Sequence, residues 1–222
     1  MISRTMEDYL AAIYRVETPA QRATTSAVAR RLGVSAASAS AMFHKMALAG
    51  LVRYREYLGV SLTARGRLAA MQVVRRHRLT ERFLTDMLGI GWERVDRVAD
   101  QMEHALPEEV TESFARVLAD AAACPHGYPI PSRSGEVAAR ETIPLTEMDV
   151  GARGQVAWVS EEDATLLADL ERRGLVPGAS LRVVSGEPGA AERRVEVGGR
   201  RVARLDRRLL AAVAVEPQDR AS

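Results

Sequence analysis

The sequence predicts a mainly α chain that ends in a small β-barrel, and three features carry that prediction. Helical apolar spacing with capping residues dominates the first half. Within it, a short helix, a glycine turn, a second helix and a basic hairpin follow one another as in a winged helix-turn-helix. Beyond Pro144, short apolar or alternating runs between glycines replace the helical pattern.

Met6–Val16 places Tyr9, Leu10, Ile13 and Tyr14 at helical spacing, with Glu7 and Asp8 in the first turn, where acids complement the helix dipole. A second helix begins near Thr25, runs over Ser26–Leu32 and stops at Gly33, a residue suited to the left-handed conformation after helix ends. Ser35 is an N-cap for a small-residue helix, Ala36–Ala49, that ends at Gly50. Leu51–Arg55 and Val60–Thr63, joined by a turn at Tyr57–Gly59, form the hairpin or wing. A long helix extends from Thr63 to about Leu88, and two more are expected over Glu93–Ala105 and Pro107–Ala121. Cys124–Pro131 holds three prolines and reads as an ordered crossing loop. Residues 133–141 turn polar and small, as in a linker. The barrel strands are Gly154–Val159, Leu181–Val184, Arg194–Val197 and Leu210–Val215, with one helix over Asp163–Arg173.

At 222 residues and 47% apolar content, the chain is longer than one typical domain, so two or three small ones are expected. No apolar run reaches the ~18 residues of a membrane span, and the start lacks the layout of a secretory signal, so no membrane partner and a cytoplasmic location are expected. The single cysteine, Cys124, has no partner for an internal disulfide. Charge is unevenly distributed along the chain. Residues 1–82 carry 14 basic and 5 acidic side chains, net +9, whereas residues 83–125 carry 3 and 9, net −6. A basic head suits a polyanion, and an acidic middle suits cations.

On the Ala36–Ala49 helix, Ser35, Ala36, Ala37, Ser38, Ser40 and Ala41 are small enough for close approach to a major groove. Thr25, Ser35, Ala37, Ser38, Ser40, His44 and Lys45 are the DNA-contact candidates, with the serines able to bond bases and His44 and Lys45 placed for phosphates. A tightly packed core helix is the bland alternative, and it leaves the wing and the +9 head without a role.

Asp96, Asp100, Glu103 and His104 follow at spacings of four, three and one, so that a helix gathers the last three on one face. His77 and Glu81 stand four apart on the preceding helix, and Asp8 offers a further carboxylate. Imidazole with several carboxylates is a hard-to-borderline donor set, suited to Mn²⁺ or Fe²⁺. Singly, each of these residues is an ordinary solvated side chain.

Several segments carry a resemblance: Met6–Tyr14 (MEDYLAAIY), Arg76–Leu84 (RHRLTERFL), Glu103-His104, Cys124-Pro125-His126-Gly127 and Ile130-Pro131. Together they resemble the diphtheria-toxin-repressor family of metal-dependent transcriptional regulators, manganese-responsive branch, over nearly the whole chain. The resemblance implies a winged helix-turn-helix domain at 1–74, a helical metal-binding and dimerisation domain at 75–132, a linker at 133–143 and an SH3-like domain at 144–217. It places Asp8, His77, Asp100, Glu103 and His104 in a main regulatory metal site. Asp8 and Asp100 stand where the iron-responsive branch has sulfur ligands, which favours Mn²⁺ with Fe²⁺ as the alternative. Glu81, Cys124 and His126 match a second site completed by a carboxylate of the SH3-like domain, for which Asp163 is chosen over Glu161 and Glu162. The implied activity is manganese-dependent repression at a palindromic double-stranded DNA operator by a homodimer, in metal homeostasis, with no small-molecule substrate and no enzymatic role. An iron-dependent repressor, a metal-independent winged-helix regulator and a metallohydrolase are the alternatives; the last lacks a nucleophile or oxyanion motif and gives the basic winged segment no purpose.

Overall fold

Side-chain caps set the first three helices. The Ser3 hydroxyl accepts the Met6 N–H at 3.3 Å and opens α1 (Arg4–Val16), two residues before the expected start. Thr24 caps α2 (Thr25–Leu32), which closes on Gly33 at φ 65°, and Ser35 caps α3 (Ala36–Leu48). The wing follows as β1 (Val52–Arg55) paired antiparallel with β2 (Gly59–Leu62). These elements close on one core in which Leu10, Ile13, Val28, Phe43, Met46, Leu51 and Val60 are fully or almost fully buried. Tyr9 meets Phe43 edge-on at 5.9 Å between ring centroids, and Phe43 meets Tyr54 at 5.1 Å. Burying a ring such as Phe43 contributes about 1.5–3 kcal/mol.

This computed structural model describes residues 2–18, 21–119, 121–160, 163–199 and 201–218. It divides into one unit of Met1–His77, Glu103–Ala105 and Pro131–Val137, and another of Arg78–Met102, Leu106–Ile130 and Ala138–Ser222. A 25-residue helix, α4 (Ala64–Leu88), is followed by α5 (Trp92–Met102) and α6 (Glu108–Val117). The expected helix over Glu93–Ala105 breaks: Glu103–Ala105 forms a 3-10 turn. Leu106 precedes Pro107 and is extended at φ −78°, ψ 119°, because the proline ring crowds an α-conformation before it. The next helix is likewise shorter than expected, ending before Ala119, which is left-handed at φ 50°.

In the second unit, the C-terminal part forms a six-stranded antiparallel sheet with order β3-β8-β4-β5-β6-β7. Its strands are β3 (Ile143–Pro144), β4 (Arg153–Val159), β5 (Ser180–Ser185), β6 (Glu192–Val197), β7 (Arg201–Asp206) and β8 (Val213–Gln218). Helices α7 (Ala164–Arg172) and α8 (Arg207–Ala211) cover a core of Leu145, Leu167, Leu170, Leu175, Val195, Leu205 and Leu210. Strand β7 escapes the sequence pattern because, of its described side chains, only Ala203 and Leu205 turn inward, flanked by exposed Val202, Arg204 and Asp206. The apolar run Leu210–Val215 is divided, since Asp206 caps α8 by accepting the Leu209 N–H at 2.9 Å and the strand begins only at Val213. Buried Arg193 donates to the carbonyls of Gly186, Leu145 and Met148, satisfying three loop acceptors with one guanidinium. Among the described residues no helix is long and apolar enough to cross a membrane.

Gly66, in the first turn of α4, has no room for a side chain: a Cβ there would lie 1.9 Å from the Leu51 carbonyl oxygen. Helix propensity alone favours alanine by about 1 kcal/mol. The backbone clash opposes it, and overpacking of this kind costs about 1–3 kcal/mol. Gly66→Ala should therefore lower the denaturant midpoint of the full-length protein; a stabilised variant would show that Leu51 yields freely.

Candidate metal centres

Three segments of the first unit bring the first group together. Asp8 comes from α1, His77 from α4, and Glu103 and His104 from the 3-10 turn. His104 Nε2 lies 2.7 Å from Asp8 Oδ1 and 3.3 Å from Glu103 Oε1. Glu103 Oε2 lies 2.8 Å from His77 Nδ1. One donor atom from each of Asp8, Glu103 and His104 falls within 4.8 Å of the others, a spacing that one ion spans. Glu103, His104 and His77 are nearly closed to water, at 7%, 7% and 2% side-chain exposure, while Asp8 keeps an open side at 39%. Two carboxylates and an imidazole, with no sulfur, form a hard-to-borderline donor set.

Asp100, the remaining expected member, lies exposed on α5 in the second unit. Sequence reasoning passed over Glu7, whose Oε2 lies 2.9 Å from His104 Nδ1 and accepts from Arg76 at 2.8 Å. The signal was the Glu7-Asp8 pair itself, read only as a favourable first helical turn.

A second group, Glu81, Cys124 and His126, lies wholly within the second unit and is fully buried. His126 Nδ1 is 3.0 Å from Glu81 Oε1, and its Nε2–H donates to the Trp92 carbonyl at 2.8 Å, with the indole stacked on the imidazole. The loop that presents Cys124 and His126 is pinned at several points. Cys124 N–H donates to Tyr128 O, Gly127 N–H to Cys124 O, and Val159 N–H of β4 to His126 O. Gly127 stands at φ 92°, and a Cβ there would be 2.1 Å from the Ala157 carbonyl oxygen. Glycine is thus required both by conformation and by the approach of β4. Arg78, by donating to the Pro129 carbonyl and lying over the Tyr128 ring, fastens the far end of the loop to α4. A carboxylate, a thiol and an imidazole in a dry pocket match a divalent cation, because an ionised carboxylate buried there needs strong compensation.

Asp163 does not join this group. Its Oδ1 caps α7, accepting from the N–H groups of Thr165 and Leu166, and Arg208 donates to Oδ2. The Thr165 hydroxyl foremost, then the Leu166 N–H, hold its carboxyl down at about 2. The helix start and Arg208 thus engage both oxygens of the carboxylate chosen to complete the second site. Glu161 and Glu162, its rivals, lie outside the described residues.

The expected DNA-contact residues all fall in the first unit. Ser35, Ala37, Ser38, His44 and Lys45 are exposed on or at the start of α3. Ser35 is committed to its cap and its hydroxyl also pairs with that of Ser38 at 2.8 Å. Ser40 and Tyr54 share a 2.8 Å hydroxyl contact that ties α3 to the wing. Thr25 and Ser40 line one cleft of about 740 Å³ between α2, α3 and the wing.

Comparison with known proteins gives three successive family matches. Residues 1–60 match the iron-dependent repressor N-terminal DNA-binding domain, residues 63–132 its metal-binding and dimerisation domain, and residues 143–217 the FeoA domain. The chain is 31% identical to the iron-dependent repressor IdeR of Mycobacterium leprae over 197 residues, 83% of this chain and 86% of the relative. It is 35% identical to the diphtheria toxin repressor of Corynebacterium diphtheriae over 127 residues, 57% of this chain and 56% of the relative. Among solved structures it is similar to a manganese-dependent transcriptional repressor in complex with manganese, with TM-score 0.90 and 32% identity over 96% of this chain and 100% of the other. It is also similar to ScaR with bound Zn²⁺, with TM-score 0.80 and 27% identity over 95% and 98% of the two chains.

Two variants test the membership of the second group. Cys124→Ala is expected to lower the number of divalent ions bound per chain in calorimetry, and Asp163→Ala to leave that number at the wild-type value. Equal stoichiometry in wild type and Cys124→Ala would count against a second centre.

Proposed function

The chain belongs to the iron-dependent repressor family of metal-dependent transcriptional repressors, which are not enzymes, and from that premise we propose that it is a manganese-dependent repressor gripping palindromic operator DNA as a homodimer in metal homeostasis. The observation that carries the choice of metal is the sulfur-free gathering of Asp8, Glu103 and His104. Oxygen-rich donor sets of this kind suit Mn²⁺, and softer ions favour sulfur. Within this reading His77 and Asp100 belong to the same centre, and Glu81, Cys124 and His126 form the second. Residues 1–74 act on DNA, residues 75–132 dimerise and bind metal, residues 133–143 link, and residues 144–217 form the SH3-like domain.

When bound, the ion supplies positive charge at a point where carboxylates converge. The chain's own residues do the rest. Asp8 is carried by α1, which packs on α2 in the DNA-binding core. Glu103 and His104 belong to the segment matched as metal-binding and dimerising. Holding Asp8 against them fixes the DNA-binding helices with respect to that segment, so metal favours the DNA-competent arrangement by population shift. The small residues of α3 approach the major groove, and the basic head holds phosphates. Two half-sites one or more helical turns apart match the two-fold symmetry of a dimer.

Duplexes selected from random DNA by the Mn²⁺-loaded protein provide the probe. Starting from chelated protein and titrating Mn²⁺, Fe²⁺, Zn²⁺ and Co²⁺ in parallel, Mn²⁺ should tighten binding about 5–150-fold, the usual span of such couplings. Binding insensitive to chelator would overturn metal control. Asp8→Met should weaken the Mn²⁺ response and shift preference towards Fe²⁺; an unchanged metal profile would remove Asp8 from the centre.

A further inference from the structure

We propose that Glu7, braced by Arg76, is a positioning residue for the first metal centre: it holds His104 in its Nδ1–H form and so presents Nε2 to the ion. The inference rests on the reading of Asp8, Glu103 and His104 as that centre. A carboxylate only accepts hydrogen bonds. Glu7 Oε2, 2.9 Å from His104 Nδ1, is placed to accept a hydrogen from that nitrogen. Nε2 also faces carboxylates, Asp8 Oδ1 at 2.7 Å and Glu103 Oε1 at 3.3 Å; with an ion held by those oxygens, Nε2 would give it the lone pair and the hydrogen would be left on Nδ1, where Glu7 accepts it. Consecutive residues of α1 thus address the two nitrogens of one ring, Glu7 from outside the centre and Asp8 from within it.

Arg76 explains why Glu7 stays outside. Its guanidinium donates to the same Oε2 at 2.8 Å, and both side chains are mostly buried, with exposures of 20% and 26%. Permanently charged, the guanidinium aims the carboxylate at His104 and offsets its charge. The second group repeats the logic with other parts. There the Trp92 carbonyl takes the Nε2–H of His126 at 2.8 Å and leaves Nδ1 towards Glu81. Each ring therefore has an acceptor dedicated to the nitrogen that does not ligate, the arrangement by which proteins fix imidazole tautomer and orientation. At His126 that acceptor is main chain; at His104 it is a side chain open to substitution.

The test uses the full-length protein with Glu7→Ala, Glu7→Gln and Asp8→Ala. Calorimetry with Mn²⁺ should show Glu7→Ala losing about 10–100-fold in affinity at unchanged stoichiometry, the span typical of outer hydrogen-bond partners. The melting midpoint without metal is measured alongside, because Glu7→Ala also removes the Arg76 ion pair, a structural effect distinct from the metal response. Glu7→Gln, whose amide oxygen still accepts from Nδ1–H, should recover most of the affinity. Nitrogen-15 NMR of the wild-type protein loaded with diamagnetic Zn²⁺ should show the His104 hydrogen on Nδ1. Affinity of Glu7→Ala within about twofold of wild type, equal losses in the Ala and Gln variants, or a hydrogen on Nε2 would each overturn the role of Glu7. If Asp8→Ala binds Mn²⁺ as wild type does, the metal-centre reading itself fails; if Asp8→Ala is impaired and Glu7→Ala is not, that reading stands and only Glu7 is removed.

Discussion

Carboxylate oxygens of Asp8 and Glu103 are held within 4.8 Å of each other beside His104, and that crowding of like charge is the constraint on which the first unit depends. At an effective dielectric of about 20, two unit charges at that separation repel by about 3 kcal/mol, and the 39% exposure of Asp8 reduces the figure. A divalent cation between them reverses the sign. The energy involved is a sizeable fraction of the stability of a small domain, so an ion at this point has leverage over where α1 is held. Because α1 shares its core with α2 and α3, that leverage reaches α3.

Helix α3 spends its hydroxyls on structure. Ser35 caps α3, Ser38 pairs with it, and Ser40 is engaged by Tyr54. These hydroxyls are thus committed within the protein, and in the function proposed above close fit and phosphate contact by the +9 head would bear most of the recognition. Tyr54 also packs on Phe43 and meets His44 edge-on at 5.1 Å, which makes the wing and the recognition helix one mechanical piece.

The second group is built differently. The three side chains that could hold an ion come from α4 and from one loop, and the loop owes its shape to β4, whose backbone presses on Gly127 and donates to His126. The Cys-Pro-His-Gly segment is therefore a geometric device: proline stiffens it, glycine lets a strand pass, and the cysteine and histidine are delivered to a buried carboxylate.

Sequence alone determined the helix-turn-helix, the wing and the switch to β-structure, because caps, glycines and apolar periods are local signals. It also marked Asp8, His77, Glu103 and His104, and Glu81 with Cys124 and His126, through spacing and resemblance. Tertiary structure decided what local pattern could not. Pro107 breaks the expected helix and puts Glu103 and His104 on a 3-10 turn; Asp163 is drawn off as the cap of α7 and partner of Arg208; and Glu7 gains its role only when His104, far along the chain, comes to lie beside it. The physical reason is common to all three. A cap or a helical face is written in neighbouring residues, whereas the use of a carboxylate depends on which cation, ring or backbone N–H the fold brings within about 3 Å of its oxygens.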